Sequence, residues 1–195
     1  MAANNNERNI LIAGVGGQGT LLAAKIIGSA AMRAGLDAKV SEVHGMSQRG
    51  GSVVTYVKFS DKPVRSPIID EGQADIVMAF EELEGYRSLP YLKKDGVMLM
   101  NVSRIMPMPV ITGVMGYPGD IPAKLRAVCA VTAVDAAGMA LKAGNARAVN
   151  MVLTGLLAAA LKFEPELWLG VIRDTTPARF LDANLAAFRL GYDYN

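Results

Sequence analysis

Four glycines after an apolar run are the first residues of this chain that could do chemistry. They follow residues 10–13, and a helical pattern begins directly after them. This order indicates a strand, a glycine turn and a helix, and the spacing of Gly14, Gly16 and Gly19 fits a dinucleotide-binding fingerprint. The free N–H groups at the start of such a helix bind anions, most often phosphate. The predicted cofactor-binding residues are Gly14, Gly16, Gly17, Gln18, Gly19 and Thr20.

A second glycine-rich segment, residues 44–51, follows the next predicted strand at residues 37–43. Loops that follow neighbouring parallel strands meet at one edge of the sheet, where ligands bind. Arg49 is the strongest polar candidate here, because a guanidinium can bind a carboxylate or a phosphate through two hydrogen bonds. His44 is a weak candidate for a catalytic residue, since imidazole titrates near neutral pH. The predicted substrate-binding residues are Ser47, Gln48, Arg49 and Gly50.

Each of these assignments has a structural alternative. The glycines also permit a tight turn and close packing of helix on strand without any ligand. Thr20 is better suited to capping the helix than to binding phosphate. Arg49 is equally suited to an ion pair with Glu42 or Glu81, and a single histidine beside a glycine is more often a hydrogen-bonding loop residue. A hydrolase triad is not supported, because Ser47 has no second histidine or nearby acidic motif to activate it.

The elements around the two loops predict an α/β fold with a mostly parallel, doubly wound, Rossmann-like sheet and a helical C-terminus. An antiparallel excursion is expected at residues 52–69, with 64–69 as a short edge strand because Pro67 lacks an N–H donor. Further strands are predicted at residues 74–80, 96–101 and 127–132. Helices are predicted at residues 81–87, 117–127, 134–143, 148–161, 164–174 and 178–192. Asp120 and Thr176 are the expected N-caps of two of them, with Pro177 at the first position of the last helix. Without an internal repeat or linker, residues 1–195 are predicted to form one domain.

The composition excludes several classes of function. The net charge is +2 without a cluster of basic residues, which argues against nucleic-acid binding. The one cysteine, Cys129, lies in an apolar run and is expected to be a buried structural thiol. One cysteine cannot ligate an iron–sulfur cluster, and no spacing typical of a metal site occurs. No apolar run is long enough to span a membrane, and residues 1–8 are polar and expected to fray, so a cytoplasmic protein is expected.

The two loops and the C-terminal pattern resemble the gamma-type subunits of 2-oxoacid:ferredoxin oxidoreductases, with the strongest likeness to the beta subunits of indolepyruvate oxidoreductases. The likeness covers nearly the whole chain, and the second loop is far more specific than the first, because glycine-rich turns are common. The matching positions are residues 14–20, 42–52, 74–81, Asn150 and residues 184–191.

The resemblance implies a subunit of a complex that oxidatively decarboxylates a 2-oxoacid with coenzyme A, giving an acyl-CoA, carbon dioxide and reduced ferredoxin. It also implies a larger partner subunit that carries thiamine diphosphate, magnesium and iron–sulfur clusters, and through which ferredoxin is reduced. This chain is expected to hold none of these cofactors, to be inactive alone, and to help bind coenzyme A or an arylpyruvate. A homodimer of the isolated chain stays compatible with this role, because exposed apolar surface can pair with itself.

Two other functions stay open from the residues alone. Glu42 lies near the end of the second strand, where a Rossmann acid binds ribose hydroxyls, and this would make the chain a stand-alone NAD-binding oxidoreductase. The hydrophobic content of 51% equally suits a non-catalytic scaffold subunit whose glycine loops pack against a larger chain.

Overall fold

The computed structural model describes residues 7–44 and 51–194, and only the backbone of His44. These residues form a six-stranded sheet with helices on both faces, which confirms the predicted α/β class. The strands are β1 (Arg8–Val15), β2 (Asp37–His44), β3 (Ser52–Ser60), β4 (Ala74–Ala79), β5 (Leu92–Asn101) and β6 (Ala130–Val134). The helices are α1 (Thr20–Arg33), α2 (Glu82–Arg87), α3 (Met108–Ile111), α4 (Ile121–Arg126), α5 (Ala136–Lys142), α6 (Val149–Leu161), α7 (Pro165–Thr175) and α8 (Ala178–Tyr192).

The strand order is β2-β3-β1-β4-β5-β6, and β3 is the one antiparallel strand among those that the structure describes. The antiparallel strand of the predicted excursion, β3, therefore lies inside the sheet, between β2 and β1. The remaining strands run in one direction. As a result, β1, β4, β5 and β6 all present their carboxyl ends at the same edge, where α1, α2 and α5 follow them.

The sheet has a hydrophobic core on each face, because successive residues of a strand point to opposite sides. In β1, Ile10 and Ile12 pack with α1 and the C-terminal helices, whereas Leu11 and Ala13 pack with α2 and α4. Trp168 of α7 is fully buried in the first core. Both faces of β1 are thus covered, and this fixes the position of the glycine loop that follows it.

Helices α6 and α8 approach each other at glycine. A β-carbon added to Gly155 would lie 2.1 Å from the carbonyl oxygen of Phe188, and one added to Gly191 would lie 1.9 Å from that of Val152. Any larger residue would collide with the backbone of the other helix, so these glycines set the distance between α6 and α8.

Several local predictions need correction. Residues 64–69 do not form an edge strand: the Val64 N–H donates to the carboxylate of Asp37 at 2.7 Å, and Pro67 has no N–H to add to a ladder. Arg8 belongs to β1 opposite Phe59, so the fraying expected for residues 1–8 does not extend to it. Cys129 precedes β6 and is only half-buried.

Two predicted helix caps are also wrong, whereas a third is confirmed. Gly19, not Thr20, is the N-cap of α1. Helix α8 begins at Ala178, so Pro177 is its N-cap and not its first helical residue. Thr176 therefore lies one residue before the N-cap. The carboxylate of Asp120 accepts the Ala123 N–H at 3.2 Å and caps α4 as predicted.

Candidate functional site

The first glycine loop leaves β1 and enters α1 through a backbone that favours glycine. Gly17 and Gly19 have φ angles of 95° and 83°, in the left-handed region where a side chain causes strain. Among the described residues, no group accepts a hydrogen bond from the N–H of either glycine. The Gly16 N–H differs, because it donates to the carbonyl oxygen of Gly51 at 3.0 Å. Of the glycines predicted to bind a cofactor, Gly17 and Gly19 therefore keep their N–H groups free for a ligand.

Gln18 closes the loop with its own side chain. Its Oε1 accepts the Val15 N–H at 2.7 Å, and its Nε2 donates to the carbonyl oxygen of Phe80 at 3.2 Å. Gly14 makes room for this arrangement, since a β-carbon there would lie 2.9 Å from the same Oε1. Gln18 and Gly14, both predicted to bind a cofactor, thus shape the loop through packing and internal hydrogen bonds.

A cleft of about 330 Å³ lies in front of the loop, and we call it the glycine cleft. Its lining joins the glycine loop to the end of β5 and the starts of α5 and α6, and none of the lining residues is acidic. Arg147 contributes the one charged side chain of the lining and has no ion-pair partner among the described residues. Free N–H groups, a helix N-terminus and a guanidinium together suit an anionic ligand.

Asn101 supports the cleft from the end of β5, and sequence reasoning assigned it no role. Its amide nitrogen donates to the carbonyl oxygen of Phe80 at 3.1 Å, and its amide oxygen accepts the Ala136 N–H at 3.0 Å. Asn101 thereby ties together the ends of β4 and β5 and the start of α5. The signal in the sequence is a polar residue directly after the apolar stretch of a strand that ends at the ligand-binding edge.

Buried carboxylates hold the segment that follows Asn101. Glu81 caps α2 and accepts hydrogen bonds from the Ile105 N–H at 3.1 Å and the Tyr117 hydroxyl at 2.6 Å. Burial and the hydrogen bond to Glu81 raise the pKa of Tyr117 above its ordinary value. Glu82 is 1% exposed and pairs with Arg104 at 2.9 Å. These contacts fix the chain directly after Ser103, another residue of the glycine cleft.

The side chains of Glu42 and Thr20 form hydrogen bonds within the fold. The carboxylate of Glu42 accepts hydrogen bonds from the hydroxyls of Thr20 and Thr55, each at 3.4 Å. Because β3 separates β2 from β1, Glu42 is not on the strand next to the glycine loop, as a Rossmann acid would be. This arrangement argues against the NAD-binding alternative.

The second predicted loop lies outside the described residues. Ser47, Gln48, Arg49 and Gly50 belong to this part of the chain, as does the side chain of His44. The nearest described neighbour is Gly51, whose carbonyl oxygen accepts the Gly16 N–H. The end of the second glycine-rich segment, Gly51, therefore contacts the first glycine loop directly.

Within residues 7–44 and 51–194, no group of three or more histidine, cysteine, aspartate or glutamate side chains is placed to hold a metal ion. Nor does any helix in these ranges have the length and apolar character needed to cross a bilayer.

The sequence and the fold correspond to a known family. A model of the pyruvate ferredoxin/flavodoxin oxidoreductase family matches residues 9–194, so the chain belongs to this family. The chain is 41% identical over 197 residues to the indolepyruvate oxidoreductase subunit IorB of Thermococcus kodakarensis, an alignment that covers 95% of this chain and 94% of that one.

Two solved structures share the fold. The gamma subunit of a keto/oxoacid ferredoxin oxidoreductase from Geobacter sulfurreducens has a TM-score of 0.71 at 25% identity, with 95% of this chain and 96% of that chain covered. The 2-oxoglutarate:ferredoxin oxidoreductase from Magnetococcus marinus, whose structure holds 2-oxoglutarate, coenzyme A and succinyl-CoA, has a TM-score of 0.73 at 20% identity. The match covers 95% of this chain and 30% of that longer one. The chain is therefore similar to small subunits of multi-subunit oxidoreductases, as its sequence predicted.

Proposed function

We propose that the chain is the small subunit of a 2-oxoacid:ferredoxin oxidoreductase that acts on an arylpyruvate such as indolepyruvate. The complex converts the 2-oxoacid and coenzyme A to an acyl-CoA and carbon dioxide and passes two electrons to ferredoxin. The observation that carries this proposal is the identity of 41% to an indolepyruvate oxidoreductase subunit along nearly the whole chain. The free N–H groups of Gly17 and Gly19 in a cleft without acidic residues support a role in ligand binding.

In this function the glycine cleft binds a phosphate of coenzyme A. The N–H groups of Gly17 and Gly19 and the N-terminus of α1 donate toward the phosphate oxygens, and the Arg147 guanidinium neutralises charge beside them. Holding coenzyme A by its phosphates leaves the thiol free to reach a reacting centre on another subunit. The role of this chain is thus binding and positioning.

The redox cofactors belong to a larger partner subunit in this proposal. Thiamine diphosphate supplies the carbanion chemistry of decarboxylation when bound there, and iron–sulfur clusters carry the electrons. The donor set of this chain does not fit such a cluster, because the chain has one cysteine and a cluster needs several thiolates. We assign magnesium and thiamine diphosphate to the larger partner subunit as well.

Residues 47–50 are proposed to bind the 2-oxoacid. Arg49 would pair with the substrate carboxylate through two hydrogen bonds. The contact between Gly51 and Gly16 supports this location, because it brings the end of the segment to the glycine loop, next to the glycine cleft. Replacing Arg49 with alanine should raise the KM for the 2-oxoacid, and unchanged kinetics for both the 2-oxoacid and coenzyme A would remove Arg49 from the site.

The test of the function is reconstitution. The chain is co-expressed with the larger subunit encoded in the same cell, and reduction of ferredoxin is measured with indolepyruvate and with pyruvate, with and without coenzyme A. We expect co-purification and a rate that needs both an arylpyruvate and coenzyme A. A complex that forms but reduces ferredoxin with neither 2-oxoacid would refute the proposed activity, and a preference for pyruvate would refute the proposed substrate.

A matched pair of glycine variants tests the cleft itself. Gly17 and Gly35 both have positive φ, 95° and 82°, and a β-carbon at either position meets no atom within 4 Å. Gly17→Ala and Gly35→Ala therefore carry similar backbone strain, but Gly35 lies beyond the opposite end of α1. Gly17→Ala should raise the KM for coenzyme A at least fivefold, and Gly35→Ala should leave it unchanged. Equal effects of the two variants would show that strain, not the cleft, is responsible.

A further inference from the structure

A stretch of eleven residues after β5 exposes apolar side chains and contains no charged residue, and we call it the 105–115 surface. No residue of this stretch is buried, and Thr112 is its one polar side chain. Apolar side chains that are exposed singly are ordinary, but several in one short stretch are typical of a surface that another macromolecule covers. The large exposed side chains are Ile105, Met106, Met108, Ile111, Val114 and Met115.

Buried Glu81 holds both ends of the 105–115 surface in place. Its carboxylate accepts the Ile105 N–H at 3.1 Å and the hydroxyl of Tyr117, two residues beyond the other end, at 2.6 Å. Between these two anchors, α3 adds one turn of regular structure. The surface is thus pre-organised although none of its own residues is buried, so less conformational entropy is lost when a partner binds.

An apolar cavity of about 270 Å³ lies between the 105–115 surface and α2. Its lining includes Leu83 and Tyr86 from α2 and Met115 from the surface. Among the described residues, Arg87 is the one charged residue that lines the cavity, and its guanidinium pairs with Glu84 at 2.7 Å. The cavity therefore suits one bulky apolar side chain of a partner, the kind of anchor that contributes much of the binding energy in protein interfaces.

The 105–115 surface begins at the rim of the glycine cleft. Ser103, two residues before the surface, lines that cleft, and its carbonyl oxygen accepts the Glu82 N–H at 3.0 Å. In the proposed function, coenzyme A is held in this cleft and reacts at a centre on another subunit. That subunit must therefore approach the rim from which the apolar surface extends.

We propose that the 105–115 surface is the docking site of the larger, thiamine-bearing subunit. The partner contributes a complementary apolar face and places one aromatic or branched aliphatic side chain in the cavity beside α2. This inference rests on the proposed function and adds to it the surface through which the small subunit meets its partner.

A second copy of this chain is the main competing occupant. The position beside the glycine cleft favours the larger subunit, because a second copy bound here would obstruct the approach of the reacting centre to the cleft. The apolar character favours it as well. Since this chain holds no redox cofactor in the proposed function, it works only as part of the complex, and such permanent interfaces are more apolar than transient ones.

Oxidation of methionines by a short pulse of hydroxyl radicals tests whether the surface is buried in the complex. Met108 and Met115 are 66% and 64% exposed. Met32, at 58%, is a matched control in the last turn of α1, away from the edge at which that helix begins. In the assembled complex, Met108 and Met115 should be oxidised about fivefold more slowly than in the isolated chain, as expected for side chains in the core of an interface. Met32 should be oxidised equally fast in both.

Charged substitutions test whether the surface contributes to binding. Met108→Asp and Val114→Asp replace exposed side chains, so the isolated variants should fold like the wild type. Val128→Asp is the control, because Val128 is 63% exposed but precedes β6, at the opposite edge of the sheet from the glycine cleft. When the complex is diluted, Met108→Asp and Val114→Asp should each raise the dissociation constant about tenfold or more, since each buries an unpaired charge. Val128→Asp should match the wild type.

Unchanged oxidation of Met108 and Met115 in a complex that reduces ferredoxin, or one dissociation constant for all three variants, would overturn the inference and leave the proposed function intact. Equal slowing at all three methionines would show general quenching of radicals and would count against the inference in the same way. Sedimentation of the isolated chain detects a second copy. A dimer that both surface substitutions disrupt, with assembly unaffected, would assign the surface to self-association instead. If the wild-type chain does not assemble with the larger subunit, the proposed function itself fails.

Discussion

The contact between α6 and α8 yields a quantitative prediction for Gly155→Ala. A β-carbon at Gly155 would lie 2.1 Å from the Phe188 carbonyl oxygen and 2.7 Å from the Tyr192 nitrogen. The first distance is more than 1 Å short of ordinary contact, and both neighbours are backbone atoms that cannot rotate away. The two helices must therefore separate, which disturbs the packing of the largest core.

The magnitude follows from two opposing terms. Overpacking of this kind costs about 3 kcal/mol, and alanine gains about 1 kcal/mol over glycine in a helix interior, so the net loss should be about 2 kcal/mol. For a chain of this size, this loss corresponds to a Tm lower by about 4–8 °C. The urea midpoint should fall by roughly 1 M.

Gly170→Ala in α7 is the matched control. A β-carbon at Gly170 meets only the end of the Arg33 side chain, at 2.9 Å, and this exposed guanidinium can move. The helix gain should then dominate, so Gly170→Ala should be as stable as the wild type or more so by up to about 1 kcal/mol. If urea denaturation gives Gly155→Ala the stability of the wild type, or if both alanine variants lose the same stability, the reasoning from backbone contact is wrong.

Three other measurements test single contacts. Asn101→Ala should lower the free energy of unfolding by about 2 kcal/mol, because it leaves the buried Ala136 N–H without an acceptor; urea denaturation at the wild-type level would contradict this role. Burial and the hydrogen bond to Glu81 raise the pKa of Tyr117. The stabilisation linked to its neutral form is therefore complete below about pH 10 and is lost as the pH rises through the folded-state pKa. Between pH 9 and roughly pH 11, the free energy of unfolding should therefore fall less for Tyr117→Phe than for the wild type. Equal decreases in the two proteins would exclude this linkage. Burial also raises the pKa of the Cys129 thiol, so iodoacetamide should modify folded protein at pH 8 more slowly than unfolded protein; equal rates would show an accessible thiolate.

The local sequence was sufficient for the strand, glycine turn and helix at the start of the chain. The apolar run before Gly14 predicts β1, and the glycines predict a turn with positive φ, which Gly17 and Gly19 adopt. These features depend on residues that are close in the chain. The cap at Asp120 was predictable for the same reason, because its acceptor and donor are three residues apart.

Other features depend on contacts between distant residues, and the sequence did not reveal them. The pattern of residues 52–59 predicts a strand and an antiparallel partner, but not that β3 is inserted between β1 and β2. Strand order results from competition among pairings of similar local quality, and only the packing of the whole sheet decides it. This order removes Glu42 from the neighbouring strand and weakens the nucleotide-binding alternative.

The candidate site also combines features that depend on neighbouring residues with features that depend on contacts between distant residues. By itself, the sequence determined that a glycine turn opens a helix at the ligand-binding edge of an α/β sheet, because propensity and hydrophobic period act over a few residues. Only the tertiary structure brought Arg147, Asn150 and Asn184 beside Leu22 of α1, since the close contact of α6 with α8 and the packing of α6 near α1 place residues more than a hundred positions apart in one cleft. The tertiary structure also paired the Gly16 N–H with Gly51 and left those of Gly17 and Gly19 free, because hydrogen-bond partners are assigned by proximity in space and not by residue type.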